Sequence, residues 1–328
     1  MEIQEFLLHF RNKVFAFIFL SLLPVNHLYS APKTANNDDF FTLENGENLC
    51  EVGGPHTRKM LTLVYGRGQP FGDLKKKRYC KLKNSQKPIQ WVLMNLDSGV
   101  TISKSNNAEA IYFGASVSKL FVAATLLNKQ HGKLNRSQLR LMADMIARSS
   151  NSAWIELQRQ AGEDGTADLG RLAVQEFTQD MGYGKIKGFQ GWMTQKDGSK
   201  IHGNELNAIE LSRFLYDTYH RNYMGAEILW KIMHATKTGD NKVNKYTPRH
   251  ICIGGKTGTY HGENASPKTV KLNSIKARNH VVVFKVNNSQ YGLSILSNTG
   301  SDEDVAILSG GLMREFLHIG ESFSCEDF

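Results

Sequence analysis

The sequence lacks long apolar segments outside its first thirty residues. A transmembrane helix needs about 20 consecutive apolar residues, and the stretch Val14–Leu23 is too short to span a bilayer. It follows Arg11 and Lys13, and small residues stand at Ser30–Ala31. This arrangement is typical of a secretory signal peptide, so we predict one over residues 1–30, with an uncleaved anchor as the alternative. We therefore expect an exported protein, periplasmic or extracellular, with no further membrane insertion.

The sequence also lacks metal-ligand spacing and any nucleic-acid-binding motif. The 11 histidines are scattered along the chain, which is not the pattern of a metal centre, and we expect no metal and no cofactor. The net charge is +9. A basic surface attracts polyanions such as cell-wall polymers or anionic lipids, or serves solubility alone. Nucleic acid is not an expected partner, because the motif is missing and the compartment is wrong.

Cysteine is scarce. The chain has 4 cysteines, Cys50, Cys80, Cys252 and Cys325. An even number in an oxidising compartment predicts one or two disulfides. Cys50 and Cys80 flank a basic, glycine-rich segment, and we predict that they pair with each other. Cys252 is then either a buried thiol or the partner of Cys325.

A serine and a lysine stand at the start of an apolar helical segment. Ser116 and Lys119 are three residues apart and directly precede Leu120–Leu127. This spacing puts both side chains on one helix face, and the start of a helix favours a developing negative charge. A serine hydroxyl becomes a nucleophile when a base takes its proton, and a desolvated lysine can be that base. Alone, the pattern also fits a capping serine beside a solvated lysine.

Two further polar motifs follow in chain order. Ser149 and Asn151 lie in a short connection between two helical patterns, and Lys256-Thr257-Gly258-Thr259 follows a β-like run. In this order Ser-x-x-Lys, Ser-x-Asn and Lys-Thr-Gly resemble the signature elements of the penicillin-recognising serine enzymes, the β-lactamases and penicillin-binding proteins. The resemblance covers residues 89 to 318 and is greatest to the smaller, class A-like members. Helix capping is the structural alternative for Ser149 and Asn151.

The resemblance implies a catalytic role for four side chains. Ser116 would be the acylated nucleophile, and Lys119 would accept its proton. Ser149 would pass a proton to the leaving nitrogen. Lys256 would keep the electrostatic field positive near Ser149 and near the carboxylate of the substrate.

The resemblance also implies how substrate is bound. Asn151 would form a hydrogen bond with the substrate amide, and Thr257 and Thr259 of the Lys-Thr-Gly strand would bind its carboxylate beside Gly258. The backbone N–H groups of Ser116 and Thr259 would form the oxyanion hole. Each donor aimed at a tetrahedral oxyanion is worth roughly 3–4 kcal/mol.

The pattern of elements and the resemblance predict an α+β sandwich. We expect a five-stranded antiparallel sheet flanked by helices, with a shortened all-helical lobe inserted at about 120–248. Residues 31–88 would form a loop-rich N-terminal extension and residues 89–328 the catalytic domain. The predicted strands are 89–96, 100–103, 250–257, 278–286 and 290–297, and the predicted helices are 116–130, 138–148, 153–160, 167–181, 207–219, 225–235 and 302–318.

Two departures from the family pattern bear on function. Ser149 follows Ser116 by 33 residues, a shorter interval than the family usually has, so the cleft is expected to be more open. Class A β-lactamases also carry a glutamate that activates water for deacylation, and its expected place is filled by Gly203. Glu156, Glu163 and Glu176 lie in predicted helices or turns without the motif, and Glu205 is better explained as lying beside the cap of the next helix.

Three functions follow from these observations. The leading hypothesis is a serine hydrolase that cleaves D-alanyl peptides of peptidoglycan and is acylated by β-lactam antibiotics. The second is a β-lactamase with an unfamiliar deacylating group. The third is a non-catalytic wall-binding protein or β-lactam sensor, which would not need to keep both Ser116 and Lys119. The expected partners are peptidoglycan peptides and β-lactams, and we expect a monomer.

Overall fold

The computed structural model describes residues 73–85, 88–194, 197–236, 242–247, 251, 253–262, 275–319 and 323–327. The predicted signal peptide, Cys50 and Cys252 lie outside these residues. Within them, no helix is long and apolar enough to cross a membrane.

The described residues form nine strands and eight α-helices. The strands are β1 (Ile89–Asn95), β2 (Thr101–Lys104), β3 (Tyr112–Phe113), β4 (Trp192–Thr194), β5 (Lys200–His202), β6 (Glu205–Leu206), β7 (Ile253–Thr259), β8 (Arg278–Val286) and β9 (Ser289–Ser297). The helices are α1 (Lys76–Asn84), α2 (Lys119–Lys129), α3 (Arg136–Ala147), α4 (Asn151–Ala161), α5 (Ala167–Asp180), α6 (Ala208–Tyr219), α7 (Ala226–Ala235) and α8 (Asp302–Leu317).

The central sheet has five strands in the order β2-β1-β9-β8-β7, and every neighbouring pair is antiparallel. Two smaller two-stranded sheets pair β3 with β6 and β4 with β5. Helices α2 to α7 lie in the sequence between the two halves of the central sheet. The predicted α+β class with a five-stranded antiparallel sheet is therefore confirmed.

The central sheet is buried on both faces. Successive side chains of a strand point to opposite faces, and along β8 Val281 and Val283 belong to the apolar core formed with the helical block. Val282 and Phe284 instead belong to a second core that contains α8. Burying each such side chain contributes roughly 1.5–3 kcal/mol, so the sheet is a rigid support for the residues that its strands carry.

Helix α2 lies at the centre of the helical block. Its residues from Lys119 to Leu127 are all buried, as expected for a helix that is apolar on every side. It ends where Gly132, in a left-handed conformation with φ 74°, donates its N–H to the carbonyl of Leu127. The predicted helix agrees, except that residues Ala115–Ser118 form a single 3₁₀ turn before α2 begins.

The segment before β1 differs from the sequence prediction. Residues 76–84, assigned to a loop-rich extension, form helix α1, which packs against α8. Tyr79 is fully buried there, and a side chain at Gly311 would collide with its ring. This helix belongs to the same core as the sheet.

The predicted disulfide between Cys50 and Cys80 is wrong. Cys80 is bonded to Cys325, with a Cα–Cα distance of 5.4 Å. Helix α1 contacts both α8 and the C-terminal turn Cys325–Asp327, so Cys80 lies next to Cys325. A cysteine forms one disulfide, so Cys80 is not available to Cys50.

The hairpin of β4 and β5 was not predicted. Its strands pair Trp192 with His202 and Thr194 with Lys200. Each strand has only three residues, which is too short for an alternating pattern to stand out in the sequence. This hairpin contributes to the candidate site described next.

Candidate active site

Ser116 lies in a strained turn at the start of the buried helix α2. Ala115, directly before it, has φ 48°, a left-handed conformation that costs on the order of 1–3 kcal/mol in a residue with a side chain. The turn is fixed from outside, since the N–H of Gly114 donates to the carbonyl of Asn204 over 2.8 Å and the Ser118 hydroxyl donates to the Asn204 side chain over 2.6 Å. These contacts fix the turn that carries Ser116.

Lys119 is fully buried and connects the first two motifs. Its Nζ donates to Ser116 Oγ over 3.1 Å. The same nitrogen contacts the Ser149 carbonyl oxygen at 2.6 Å, Ser149 Oγ at 3.2 Å and Asn151 Oδ1 at 2.8 Å. All of these partners are uncharged, so none compensates for a charge on the buried ammonium.

Burial therefore lowers the pKa of Lys119 from 10.5 to about 8. Desolvation penalises the charged form of a lysine, which moves its pKa down. With a pKa of about 8, roughly one lysine in ten is neutral at pH 7. The neutral amine has a free lone pair beside the Ser116 hydroxyl, as a proton acceptor requires.

The residues of the polar connection between α3 and α4 have two separate roles. Ser150 is the N-cap of α4, and its Oγ accepts a hydrogen bond from the N–H of Ala153 over 3.2 Å. Ser149 has a left-handed backbone with φ 61°, and its side chain and that of Asn151 contact Lys119. Capping is thus provided by Ser150, and Ser149 and Asn151 contribute to the cluster around Ser116.

Lys256 also contacts Ser149, the serine whose hydroxyl lies beside Lys119. Its Nζ donates to Ser149 Oγ over 2.9 Å and to the Thr257 carbonyl over 2.7 Å. Burial holds the pKa of Lys256 well below 10.5, and the nearby charges of Lys119 and Lys242 lower it further. The Ser149 hydroxyl therefore lies between two lysine side chains and can exchange a proton with either.

Gly258 allows strand β7 to approach the nucleophile. A Cβ at this position would lie 2.8 Å from the Gly114 carbonyl oxygen and 3.1 Å from the Ser116 nitrogen. Only a glycine fits so close to backbone. The next residue, Thr259, lines the same cavity as Ser116, and its hydroxyl accepts a hydrogen bond from Lys242 over 3.1 Å. No sequence motif identified Lys242, which lies outside the three signature elements.

Ser116 opens into a cavity of about 410 Å³. Asn151 and Thr259 line it, and its other lining residues are Phe113, Ala115, Trp154, Gln190, Gly191, Trp192, His202, Asn204 and Tyr260. A larger cavity of about 660 Å³, between residues 131–135 and 221–228, contains none of the predicted site residues. We therefore place the candidate site in the smaller cavity.

No carboxylate lines this cavity among the residues that the structure describes. Glu205 forms an ion pair with Lys187 at 2.6 Å, and Glu163 and Glu176 are exposed. A side chain at Gly203 would collide with the backbone oxygen of Phe189. The position that the resemblance aligned with the deacylating glutamate thus has no room for a side chain.

The described part of the chain also shows no metal site, since no group of three or more His, Cys, Asp and Glu side chains is arranged to hold an ion.

Several solved structures with a similar fold are β-lactamases. A β-lactamase from Streptosporangium roseum superposes with a TM-score of 0.54 at 18% identity, covering 74% of this chain and 98% of its own. A β-lactamase from Desulfarculus baarsii gives 0.56 at 15% identity, covering 74% and 97%. A representative of class A β-lactamase from Bacteroides cellulosilyticus gives 0.50 at 19% identity, covering 71% and 94%. No family model and no curated protein matches the chain.

The fold is therefore that of the penicillin-recognising serine enzymes. At 15–19% identity these comparisons establish the architecture alone. The chain has this fold and carries the side-chain cluster of Ser116, Lys119, Ser149 and Lys256.

Proposed function

We propose that this protein is an exported serine hydrolase of the penicillin-binding type, which cleaves D-alanyl peptides of peptidoglycan through an acyl-enzyme and is acylated by β-lactams. The observation that supports this most is the chain of contacts from Ser116 through Lys119 and Ser149 to Lys256. It joins a nucleophile, a buried base with a lowered pKa and a proton path on one side of an open cavity.

Acylation begins at the Ser116–Lys119 pair. Neutral Lys119 takes the proton of the Ser116 hydroxyl over their 3.1 Å contact, and Oγ attacks the carbonyl carbon of the peptide. The tetrahedral oxyanion would be held by the backbone N–H groups of Ser116 and Thr259, which Gly258 allows to come close. The positive end of the helix that starts at Lys119 favours the same negative charge.

Departure of the amine requires a proton on its nitrogen. Lys119 has received a proton from Ser116, and Lys119 Nζ lies 3.2 Å from Ser149 Oγ. Ser149 can donate its own proton to the leaving nitrogen and recover one from Lys119. The C–N bond then breaks, D-alanine leaves, and the acyl group remains on Ser116 as an ester.

The basic surroundings suit an anionic substrate. Lys256 lies on strand β7, Lys242 donates a hydrogen bond to Thr259 of the same strand, and no carboxylate of the described residues lines the cavity. A terminal D-alanyl carboxylate, or the carboxylate of a penicillin, would supply the missing negative charge. The export predicted from the sequence and a net charge of +9 would suit a peptidoglycan substrate.

The alternative is a β-lactamase, because the similar solved structures are β-lactamases. A peptidase is preferred because none of the described residues lining the cavity is a counterpart of the glutamate that class A β-lactamases use for deacylation. A penicillin also leaves its opened ring tethered to the acyl group, where it obstructs an incoming water. We expect the penicilloyl-enzyme to persist for minutes or longer and a D-alanyl peptide to turn over faster.

Intact-mass spectrometry over time after addition of penicillin tests this proposal. A stable adduct on Ser116, together with release of D-alanine from a peptide ending in D-alanyl-D-alanine, would support the peptidase. An adduct that disappears within seconds would favour the β-lactamase. A protein that is never acylated by either compound would be a non-catalytic binding protein, and the hydrolase proposal would fail.

A further inference from the structure

One histidine lines the cavity that contains Ser116. Among the described residues that line it, His202 is the one side chain whose ordinary pKa lies near neutrality. Gln190 and Asn204, the polar side chains from the same part of the chain, are amides, which do not accept a proton at neutral pH. None of the three sequence motifs contains His202.

The hairpin of β4 and β5 holds the imidazole at this wall. His202 pairs with Trp192 across the two strands, and their rings meet edge to face at 4.9 Å. The His202 ring also stacks with the ring of Phe113, with centroids 6.2 Å apart. Phe113 in turn packs against Tyr260, with centroids 4.7 Å apart. Aromatic rings of Trp192 and Phe113 therefore contact the imidazole, which is half-buried and lines the cavity.

The charge state of His202 also suits a base. Burial lowers its pKa below 6.5, while a hydrogen bond with the Gly203 backbone and the charge of Glu205 oppose this shift and Lys187 adds to it. The imidazole is therefore mainly neutral at pH 7. A neutral imidazole has one nitrogen that accepts a proton.

We propose that His202 is the general base that activates water to hydrolyse the acyl group on Ser116. This inference rests on the hydrolase function proposed above and names the group that replaces the missing glutamate. It is carried by the position of His202 in the Ser116 cavity and by the absence of any carboxylate among the described residues lining that cavity.

The step balances without a further reactant. Water gives one proton to the free nitrogen of His202, and its oxygen attacks the carbonyl carbon of the Ser116 ester. The oxyanion formed collapses, and the bond between that carbon and Ser116 Oγ breaks. The proton held by His202 is returned to Oγ, and the product leaves as a carboxylic acid, so the enzyme regains its starting state.

The test compares wild type with His202→Asn in the full-length protein. The substrate is an N-acetylated peptide ending in D-alanyl-D-alanine, with acyl-enzyme followed by intact mass and D-alanine release by assay. A positioned general base contributes roughly 10²–10⁴-fold to such a step. We expect a D-alanine burst of about one equivalent, then at least roughly 100-fold slower release, with the variant present mainly as acyl-enzyme. Penicillin should acylate both proteins at similar rates, which shows that the variant is folded.

The matched control is His131→Asn, which removes an exposed imidazole outside this cavity and should behave as wild type.

In wild type, the deacylation rate should rise with pH through a midpoint below 6.5, and this rise should be absent in His202→Asn. If His202→Asn is acylated but turns over the peptide as wild type does, the role of His202 is overturned and the hydrolase proposal stands. If wild type forms no acyl-enzyme with either compound, the hydrolase proposal fails and this inference fails with it.

Discussion

Three serines in or next to the candidate site have the same side chain but different neighbours. Ser116 contacts a buried lysine, Ser149 lies between two lysines, and Ser150 caps a helix. The same side chain therefore has the surroundings that suit a nucleophile, a proton carrier or a structural cap according to what lies within hydrogen-bond distance of it.

Replacing Ser116 by alanine should abolish labelling by penicillin. The substitution removes the attacking oxygen and one hydrogen bond, whose loss changes the free energy of unfolding by about 1 kcal/mol. Intact mass after penicillin treatment measures labelling, and thermal unfolding measures stability. Labelling of Ser116→Ala at another residue would contradict the assignment of the nucleophile.

Ser150→Ala is the matched control for this experiment. It removes a cap, which typically costs about 1 kcal/mol of stability, and leaves every group around Ser116 in place. We expect it to be less stable than wild type and to be labelled at the wild-type rate.

The acylation rate should rise with pH through a midpoint of about 8. The pKa of Lys119 is lowered to about 8 by burial, and its neutral form, which increases as pH rises through that value, is the base. The rate of penicillin labelling between pH 6 and 10 measures this dependence.

Lys119→Met keeps the apolar volume but should lose labelling almost entirely, because nucleophile and base act as one unit. A variant of the exposed Lys129, Lys129→Met, is the control.

At the scale of single residues, the sequence predicted the residues of the three motifs but not the groups around them. Ser116 and Lys119 are recognisable because helix geometry fixes side chains three residues apart. Lys242 and His202 come from separate loops and strands, and their positions depend on tertiary packing that no local spacing encodes. The distinction between Ser149 and Ser150 also required the structure, since neighbouring serines in a connection are both reasonable caps.

At the scale of elements, the candidate site depends on the distance between β7 and the turn before α2. Gly258→Ala would add a methyl group 2.8 Å from the Gly114 carbonyl oxygen, so one of the two elements must move. Since misplacement by about 1 Å can reduce a rate by about 100-fold, we expect penicillin labelling to slow by at least about tenfold.

Gly184→Ala is the control for Gly258→Ala, because nothing lies within 4 Å of a Cβ at that position. The folded state of both variants is checked by circular dichroism. A Gly258→Ala protein that is labelled at the wild-type rate would show that the close approach of β7 is not required.

Predictability varied among elements for physical reasons. Helices α2 to α8 have apolar faces at helical spacing, and each was predicted within a few residues. Helix α1 is mostly basic, with only Tyr79, Cys80 and Leu82 buried. Its charges are matched by α8, as in the 2.8 Å contact of Arg78 with Asp304, so its stability depends on a partner over 200 residues away in the sequence.

At the scale of the whole molecule, the disulfide between Cys80 and Cys325 links α1 to the C-terminal turn. Cys80→Ala should lower the free energy of unfolding by about 2–5 kcal/mol, as is typical for loss of a native disulfide. Denaturant unfolding under oxidising conditions measures this loss. Cys50→Ala is the control and should leave the Cys80–Cys325 peptide unchanged in non-reducing peptide mapping. A mapped Cys50–Cys80 peptide would contradict the pairing.

The strand order also has a consequence for synthesis. Strand β1 pairs along its whole length with β9, which is made about 200 residues later, and β9 also separates β1 from β8. Pairings so distant in sequence form slowly. A ribosome therefore produces Ser116 and Lys119 long before the sheet that presents Lys256 can close. A nascent chain that lacks the C-terminal strands has Ser116 and Lys119 but no assembled candidate site, so the proposed activity requires β8 and β9 to be complete.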